Sequence, residues 1–251
     1  MKPVLFDTHA HFEGSAEEIA TVLSRAAEAG VGYVTAVGGS ASLNAGVARA
    51  ASVAEKAGVK VLKAIGWDRD QLDAPLPDFD YAGVSAVGEI GLDYRYSPET
   101  RDAQRELFAR QLERARRLDL PVVIHTREAD DDTLGILREI PSRGVIHCFT
   151  GSPAFGRALL DLGFMISISG IVTFRLADNV RDTARIVPDD RLLIETDSPF
   201  LAPVPKRGNP NEPAFVVHTA RFLADLRGVP YSDFAELTTN NAVKTFAFCR
   251  E

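Results

Sequence analysis

Histidines and carboxylates hold divalent metal ions, and in this sequence they recur at equivalent places. Four of the five histidines, His9, His11, His125 and His147, close short apolar runs rich in β-branched residues. Glu89, after Val87-Gly88, and Asp197, after Glu195-Thr196, stand at the ends of similar runs. His9-Ala10-His11 has the i, i+2 spacing that puts both imidazoles on one side of an extended chain, so one ion can take both. An isolated H-x-H pair carries little information, and here the four further ligand-type residues give it weight. Imidazole combined with carboxylate suits borderline ions such as Zn, Mn, Co or Fe, whereas an all-oxygen set suits Mg or Ca.

One catalytic ion keeps about three protein ligands and an open position. Six ligands therefore point to two ions, with Glu89 bridging, His9, His11 and Asp197 on the first, and His125 and His147 on the second. Ions about 3.5 to 4 Å apart clamp the oxygens of an in-line displacement at phosphorus. The chemistry this pattern predicts is hydrolysis by activated water without a covalent intermediate, and Asp197 is placed to take that water's proton.

Elements must carry these residues to one place. The short apolar runs number eight: Val4 to Thr8, Val31 to Val37, Val59 to Gly66, Val84 to Glu89, Val122 to Thr126, Gly144 to Cys148, Phe164 to Ser169 and Leu192 to Thr196. Between them lie helical patterns such as Ala16 to Ala29, Ser42 to Lys56, Glu99 to Leu118 and Asp130 to Ile140, with Gly30 and Gly58 closing the first two. Two more, Glu212 to Arg227 and Ser232 to Phe248, follow the last strand. Eight βαβ units in series predict an α/β protein, a (β/α)8 TIM barrel whose strand ends converge on one mouth. Pro199 to Pro213, the long loop after strand eight, falls where such a barrel keeps its working loops.

The 251 residues divide by about 150 per domain to roughly 1.7, and with no linker or low-complexity tract we read 1–251 as one domain. A hydrophobic content of 45% with 25% charged residues excludes disorder as a whole-chain description. Two cysteines, Cys148 and Cys249, are too few for a disulfide framework or a thiolate cage. The net charge of -7 offers no global positive field to a polyanion, so any nucleic acid must be held locally. Asp7, His9 and His11 interrupt the first apolar run far short of a signal-peptide core, and the expectation is a cytoplasmic protein.

Five segments together resemble the TatD family of metal-dependent deoxyribonucleases, an amidohydrolase-like group. They are Phe6-Asp7-Thr8-His9-Ala10-His11-Phe12, Gly88-Glu89-Ile90-Gly91-Leu92-Asp93-Tyr94, Val123-Ile124-His125-Thr126-Arg127-Glu128-Ala129, Val145-Ile146-His147-Cys148-Phe149-Thr150-Gly151 and Leu193-Ile194-Glu195-Thr196-Asp197-Ser198-Pro199. The similarity extends to Ser169-Gly170-Ile171-Val172-Thr173-Phe174 and Asn211-Glu212-Pro213. The resemblance implies hydrolysis of phosphodiester bonds in DNA, often as a 3′ to 5′ exonuclease, with two divalent ions among Mg, Mn and Zn. DNA, as single strands or 3′ ends, is then the implied partner, with no membrane and no obligate protein partner.

One departure stands out, because the family's G-x-H-P-H segment after strand three is replaced here by Gly66-Trp67-Asp68-Arg69. The metal set is untouched, while substrate preference is open. Trp67 has two readings, a base-stacking contact or a packing residue under a loop. Arg127, two residues past His125, either offers its forked donors to a phosphate or pairs with a neighbouring acid. Asp7 either orients a ligand or faces the core, and Asp93 is equally open. His218 is a lone helical histidine. A different bond remains the alternative to DNA: related barrels cleave amides, lactones or esters, the ester of an aminoacyl-tRNA among them. Glu89 in the place of a carboxylated lysine favours the DNase branch.

Overall fold

The computed structural model describes residues 4–247. Eight parallel strands run in chain order around a barrel: β1 (Leu5–Ala10), β2 (Val31–Gly39), β3 (Lys60–Trp67), β4 (Ala86–Asp93), β5 (Val122–Arg127), β6 (Gly144–Ile146), β7 (Met165–Ile168) and β8 (Leu192–Ile194). The expected barrel is present. Around it stand α1 (Ala16–Ala29), α2 (Ala41–Ala57), α3 (Arg101–Leu118), α4 (Asp130–Glu139), α5 (Pro153–Asp161), α6 (Asp178–Ile186), α7 (Val216–Arg227) and α8 (Tyr231–Ala247). Phe248, the expected last residue of α8, and Cys249 lie outside the described residues.

The helices are not distributed one per strand. Among the described residues none separates β3 from β4, and two follow β8. The β3–β4 connection contains Pro75 and Pro77 amid Asp70, Asp73, Asp78 and Asp80, a composition that removes helix donors and favours turns. α1 begins at a capping box, in which the Ser15 hydroxyl accepts from the Glu18 N–H and the Glu18 carboxylate accepts from the Ser15 N–H.

Period-2 alternation sorts the strand residues into two apolar clusters. Leu192 and Ile194, Val122 and Ile124, and Ile146 face the helices, while Leu193, Val123 and Val145 join Phe6, Leu62 and Met165 in the second cluster, inside the barrel. α8 closes the lower end of that inner cluster with Ala242 and Phe246, and the Phe246 ring lies 5.9 Å from that of Phe6. The barrel's other end is left for polar residues. The β8–β1 seam is held there by an Ala10–Ser198 bridge, in which the His11 N–H donates to the Ser198 carbonyl at 2.8 Å.

Candidate metal centre

Counting upward by twos from the inner apolar layer leads from Val123 to His125, from Val145 to His147, and from Leu193 to Glu195 and Asp197. β1 and β4 do not follow that count. Pairing shifts register between Asp7 and Ala10 on β1 and between Val87 and Ile90 on β4, and these irregular stretches carry His9 and Glu89. β4 also runs four residues beyond its expected end at Glu89, to Asp93, because Gly91 and Asp93 pair with His125 and Arg127 of β5. Glu89 therefore stands within its strand.

The structure brings all six predicted ligands together. Glu89 divides its carboxylate between two histidine pairs: Oε2 lies 3.4 Å from His9 Nε2 and 3.3 Å from His11 Nε2, and Oε1 lies 3.3 Å from both His125 Nδ1 and His147 Nε2. Asp197 Oδ1 is 3.8 Å from the Nε2 atoms of His9 and His11. Within the pairs, ring nitrogens face one another at 3.1 Å (His9 and His11) and 3.3 Å (His125 and His147).

These spacings fit a metal centre. With metal–nitrogen bonds of about 2.1 Å, two ligand atoms on one ion lie about 3.0 Å apart at a right angle and about 3.4 Å at the tetrahedral angle. Three of the four histidines are also backed on their outer nitrogen, which fixes the tautomer that turns the other nitrogen inward. His11 Nδ1 meets the Val37 carbonyl at 2.9 Å, His125 Nε2 meets Asp93 Oδ2 at 3.0 Å, and His147 Nδ1 lies 3.3 Å from Glu195 Oε1. Asp93 is itself set by accepting from the Arg95 and Tyr96 N–H groups, and Glu195 by accepting from the Cys148 N–H.

The electrostatics of the cluster call for positive charge. Burial would raise Glu89, yet the adjacent His147 and Arg69 charges hold it well below the usual carboxylate range. Burial likewise disfavours charge on His147, but Glu89 and Glu195 override that and lift it well above an ordinary histidine. His9, stacked on His147 at 3.9 Å, is lowered to about 3 by burial and then by that neighbour's charge. A proton on His147 thus stands where a metal's charge belongs. Asp197 is pushed up to about 6 by burial, against the pull of His147 and His11.

Trp67 is corrected by the structure. Its residue is 6% exposed, the indole N–H donates to the Gln71 carbonyl at 3.0 Å, and the ring packs beside Phe79. A covered ring offers no face to a base, so the packing reading holds. Arg127 reaches neither the carboxylates nor the histidines of the cluster; its guanidinium lies 4.9 Å over the Tyr96 ring and donates to the Tyr96 hydroxyl. It lines a groove of about 750 Å³ at the ends of β5 and β6, together with Tyr94, Arg101, Glu128 and Thr150. Asp7 orients the seam: the Thr196 N–H and hydroxyl donate to its two oxygens at 2.8 and 2.6 Å. His218 sits on α7 beside Phe215, away from the cluster.

Sequence reasoning missed Glu195, Asp68, Arg69 and Phe200. Glu195 shares the inward count with Asp197, and that parity was the available signal. Arg69 Nη1 donates to Glu89 Oε1 at 2.7 Å and also pairs with Asp68. Phe200, in the proline-bearing loop, is 59% exposed with its ring 6.4 Å from that of His11.

Known proteins share both fold and sequence with this chain. The crystal structure of YjjV, a TatD homologue from Escherichia coli K12, superposes with a TM-score of 0.86 at 29% identity, covering 98% of this chain and 99% of that one. The phosphotriesterase homology protein from E. coli, crystallised with phosphate in its active site, shares the fold at a TM-score of 0.70 and 12% identity, covering 98% and 100% of the two chains. YcfH of E. coli K12, described as an uncharacterized metal-dependent hydrolase, is 53% identical over 167 residues; that match spans 65% of this chain and 63% of the length of YcfH. YabD of Bacillus subtilis, described in the same terms, is 36% identical over 97% of this chain and 99% of its own. The profile of the TatD related DNase family matches residues 6–247, from the strand that carries His9 and His11 to the end of α8. Fold and sequence agree over that whole span, and the chain belongs to the TatD related DNase family.

Proposed function

We propose that the protein is a metal-dependent hydrolase that cleaves phosphodiester bonds of DNA, working from 3′ ends as a 3′ to 5′ exonuclease. Its cofactor is a pair of divalent ions, Mg, Mn or Zn, with His9, His11 and Asp197 holding one, His125 and His147 the other, and Glu89 spanning both. The observation that carries this reading is the division of the Glu89 carboxylate, Oε2 toward one histidine pair and Oε1 toward the other. A bridging carboxylate between two imidazole sets supports two ions where a single site would need one such oxygen.

When bound, the ions supply Lewis-acid activation of water and of the phosphoryl oxygens. The chain's own residues do the rest. Asp197 accepts the proton of the attacking water, and its burial-raised pKa of about 6 brings it closer to neutral pH than an ordinary aspartate. Asp93 and Glu195 keep His125 and His147 in the tautomer that faces inward. Phe200, exposed beside His11, gives a face on which a base can stack, the role first considered for Trp67. Arg127, on the neighbouring groove, presents forked donors to a backbone phosphate.

Metal content and hydrolysis of single-stranded, duplex and nicked DNA, measured on one preparation with and without chelator, test the reading together. We expect shortening from 3′ ends that chelation abolishes. Cleavage of a lactone or carboxylic ester with DNA left intact would replace the substrate assignment.

A further inference from the structure

The two histidine pairs are chemically alike, yet their surroundings differ: Asp197 faces the His9–His11 pair, and Arg69 stands on the side of His125 and His147. Arg69 Nη1 lies 2.7 Å from Glu89 Oε1, the oxygen that also faces His125 and His147 at 3.3 Å. Its Nε lies 4.0 Å from Asp93 Oδ2, the carboxylate that backs His125. Asp68 pairs with the same Nη1, and the Arg69 backbone N–H donates to Asp68 Oδ1 at 2.8 Å. Glu89 Oε2, on the His9 and His11 side, has no such partner among the described residues. The side chain of Arg69 is only 21% exposed and that of Glu89 only 6%, so solvent screens the pair weakly.

An arginine stays protonated at any physiological pH, so this charge cannot be titrated away to make room. An ion entering between Glu89 Oε1, His125 and His147 must displace a charge-assisted hydrogen bond and approach a fixed positive charge. An ion entering between His9, His11 and Asp197 meets neither cost. We propose that Arg69 makes the two halves of the centre unequal: it serves the His125–His147 half as a built-in cation, so the first ion loads tightly on the His9–His11–Asp197 half and the second binds weakly. The second ion binds only as the guanidinium turns away, and an incoming phosphate is the anion that can receive it. This rests on the two-ion reading above and adds the order and inequality of loading.

The test is a calorimetric titration of the full chain with Mn²⁺ in the absence of substrate, alongside metal analysis after gel filtration. For the wild type we expect two steps, the second at least about tenfold weaker, with one ion per chain surviving filtration. Arg69→Gln should tighten the second step by about tenfold or more and leave the first within about threefold; Arg69→Lys, which keeps the charge, should retain the inequality. Equal steps in the wild type, or a second step unmoved in Arg69→Gln, would overturn the proposal while leaving two ions in place. A single step in wild type and variant alike would remove the two-ion reading itself, and the proposal with it. Should Arg69→Gln fail to fold, Arg69→Met, which also removes the charge, takes its place with the same two outcomes.

Discussion

Glu195 Oε1 lies 3.3 Å from His147 Nδ1, on the side of the ring turned away from Glu89. Burial would raise the Glu195 pKa, but its hydrogen bond to His147 prevails and keeps it below the ordinary value, so it faces the ring as a carboxylate. Replacing it by the isosteric amide removes that charge and lets the ring turn. Glu195→Gln should therefore weaken metal affinity by about 10- to 100-fold with the fold retained, measured by Mn²⁺ titration and circular dichroism. Unchanged affinity would show that His147 needs no such backing.

Glu89 faces both histidine pairs at once, so on the proposed reading its loss should be felt in both. Glu89→Ala is expected to abolish tight binding of either ion, as read by plasma emission analysis of the dialysed protein. Two ions retained per chain would refute the bridging assignment.

Asp197→Asn keeps an oxygen for the metal and loses most of the capacity to accept a proton. Turnover should fall by about 10²-fold or more while the first ion is kept. A metal-replete variant with wild-type turnover would leave Asp197 as a ligand only. The wild-type pH dependence carries a linked expectation. Since burial places this carboxyl at about 6, it is ionised above that pH and takes up a proton below it. Proton and ion compete for the same ligand atoms, and His11 and His147 hold their protons to higher pH than an ordinary histidine. Mn²⁺ affinity should therefore rise with pH through neutrality and fall more steeply below about pH 6, where Asp197 takes up a proton as well. Titrations on either side of that pH check the sign.

With a net charge of -7, substrate capture should depend on a handful of contacts. The slope of binding against salt should correspond to about two or three phosphates. Arg127→Ala should lower kcat/KM by about 1 to 3 kcal/mol at unchanged metal content. Phe200→Ala should cost about 1 to 3 kcal/mol in oligonucleotide binding and leave hydrolysis of a small phosphodiester without bases unaffected. A steep salt slope with an uncleavable oligonucleotide would reveal a basic groove instead.

Gly91 has φ +142, and a Cβ there would stand 1.9 Å from the His125 carbonyl oxygen. Any side chain must push β5 outward and carry His125 with it. Gly91→Ala should destabilise the fold by at least about 2 kcal/mol and weaken metal binding, followed by thermal melts and titration.

The barrel and the six residues gathered at its mouth were legible because both leave periodic traces: apolar runs repeat along the chain, and His9, His11, Glu89, His125, His147 and Asp197 each stand near the close of one. What surrounds the ligands was not. Glu195 stood in a motif without a role because the residue it faces, His147, lies on another strand. Asp93 became meaningful only when β4 extended past Glu89 to lie beside β5. The register shifts on β1 and β4 are properties of strand pairing and have no counterpart in a pattern of hydrophobicity. Arg69 was visible only as a departure from the family's segment; its contact with Glu89 spans 20 positions and joins the end of β3 to β4.

The seam between β8 and β1 joins the last strand of the chain to the first. Asp197 N–H donates to the His9 carbonyl at 2.9 Å, and the Thr196 hydroxyl reaches Asp7 across 189 positions. His9 and His11 stand on one side of that join and Asp197 on the other, so the first half of the centre cannot exist in a nascent chain until its last strand has been made. Closing so long a loop is entropically slow to nucleate. During synthesis the early histidines wait for a carboxylate made nearly 190 residues later, so the mouth is assembled only when the ring closes.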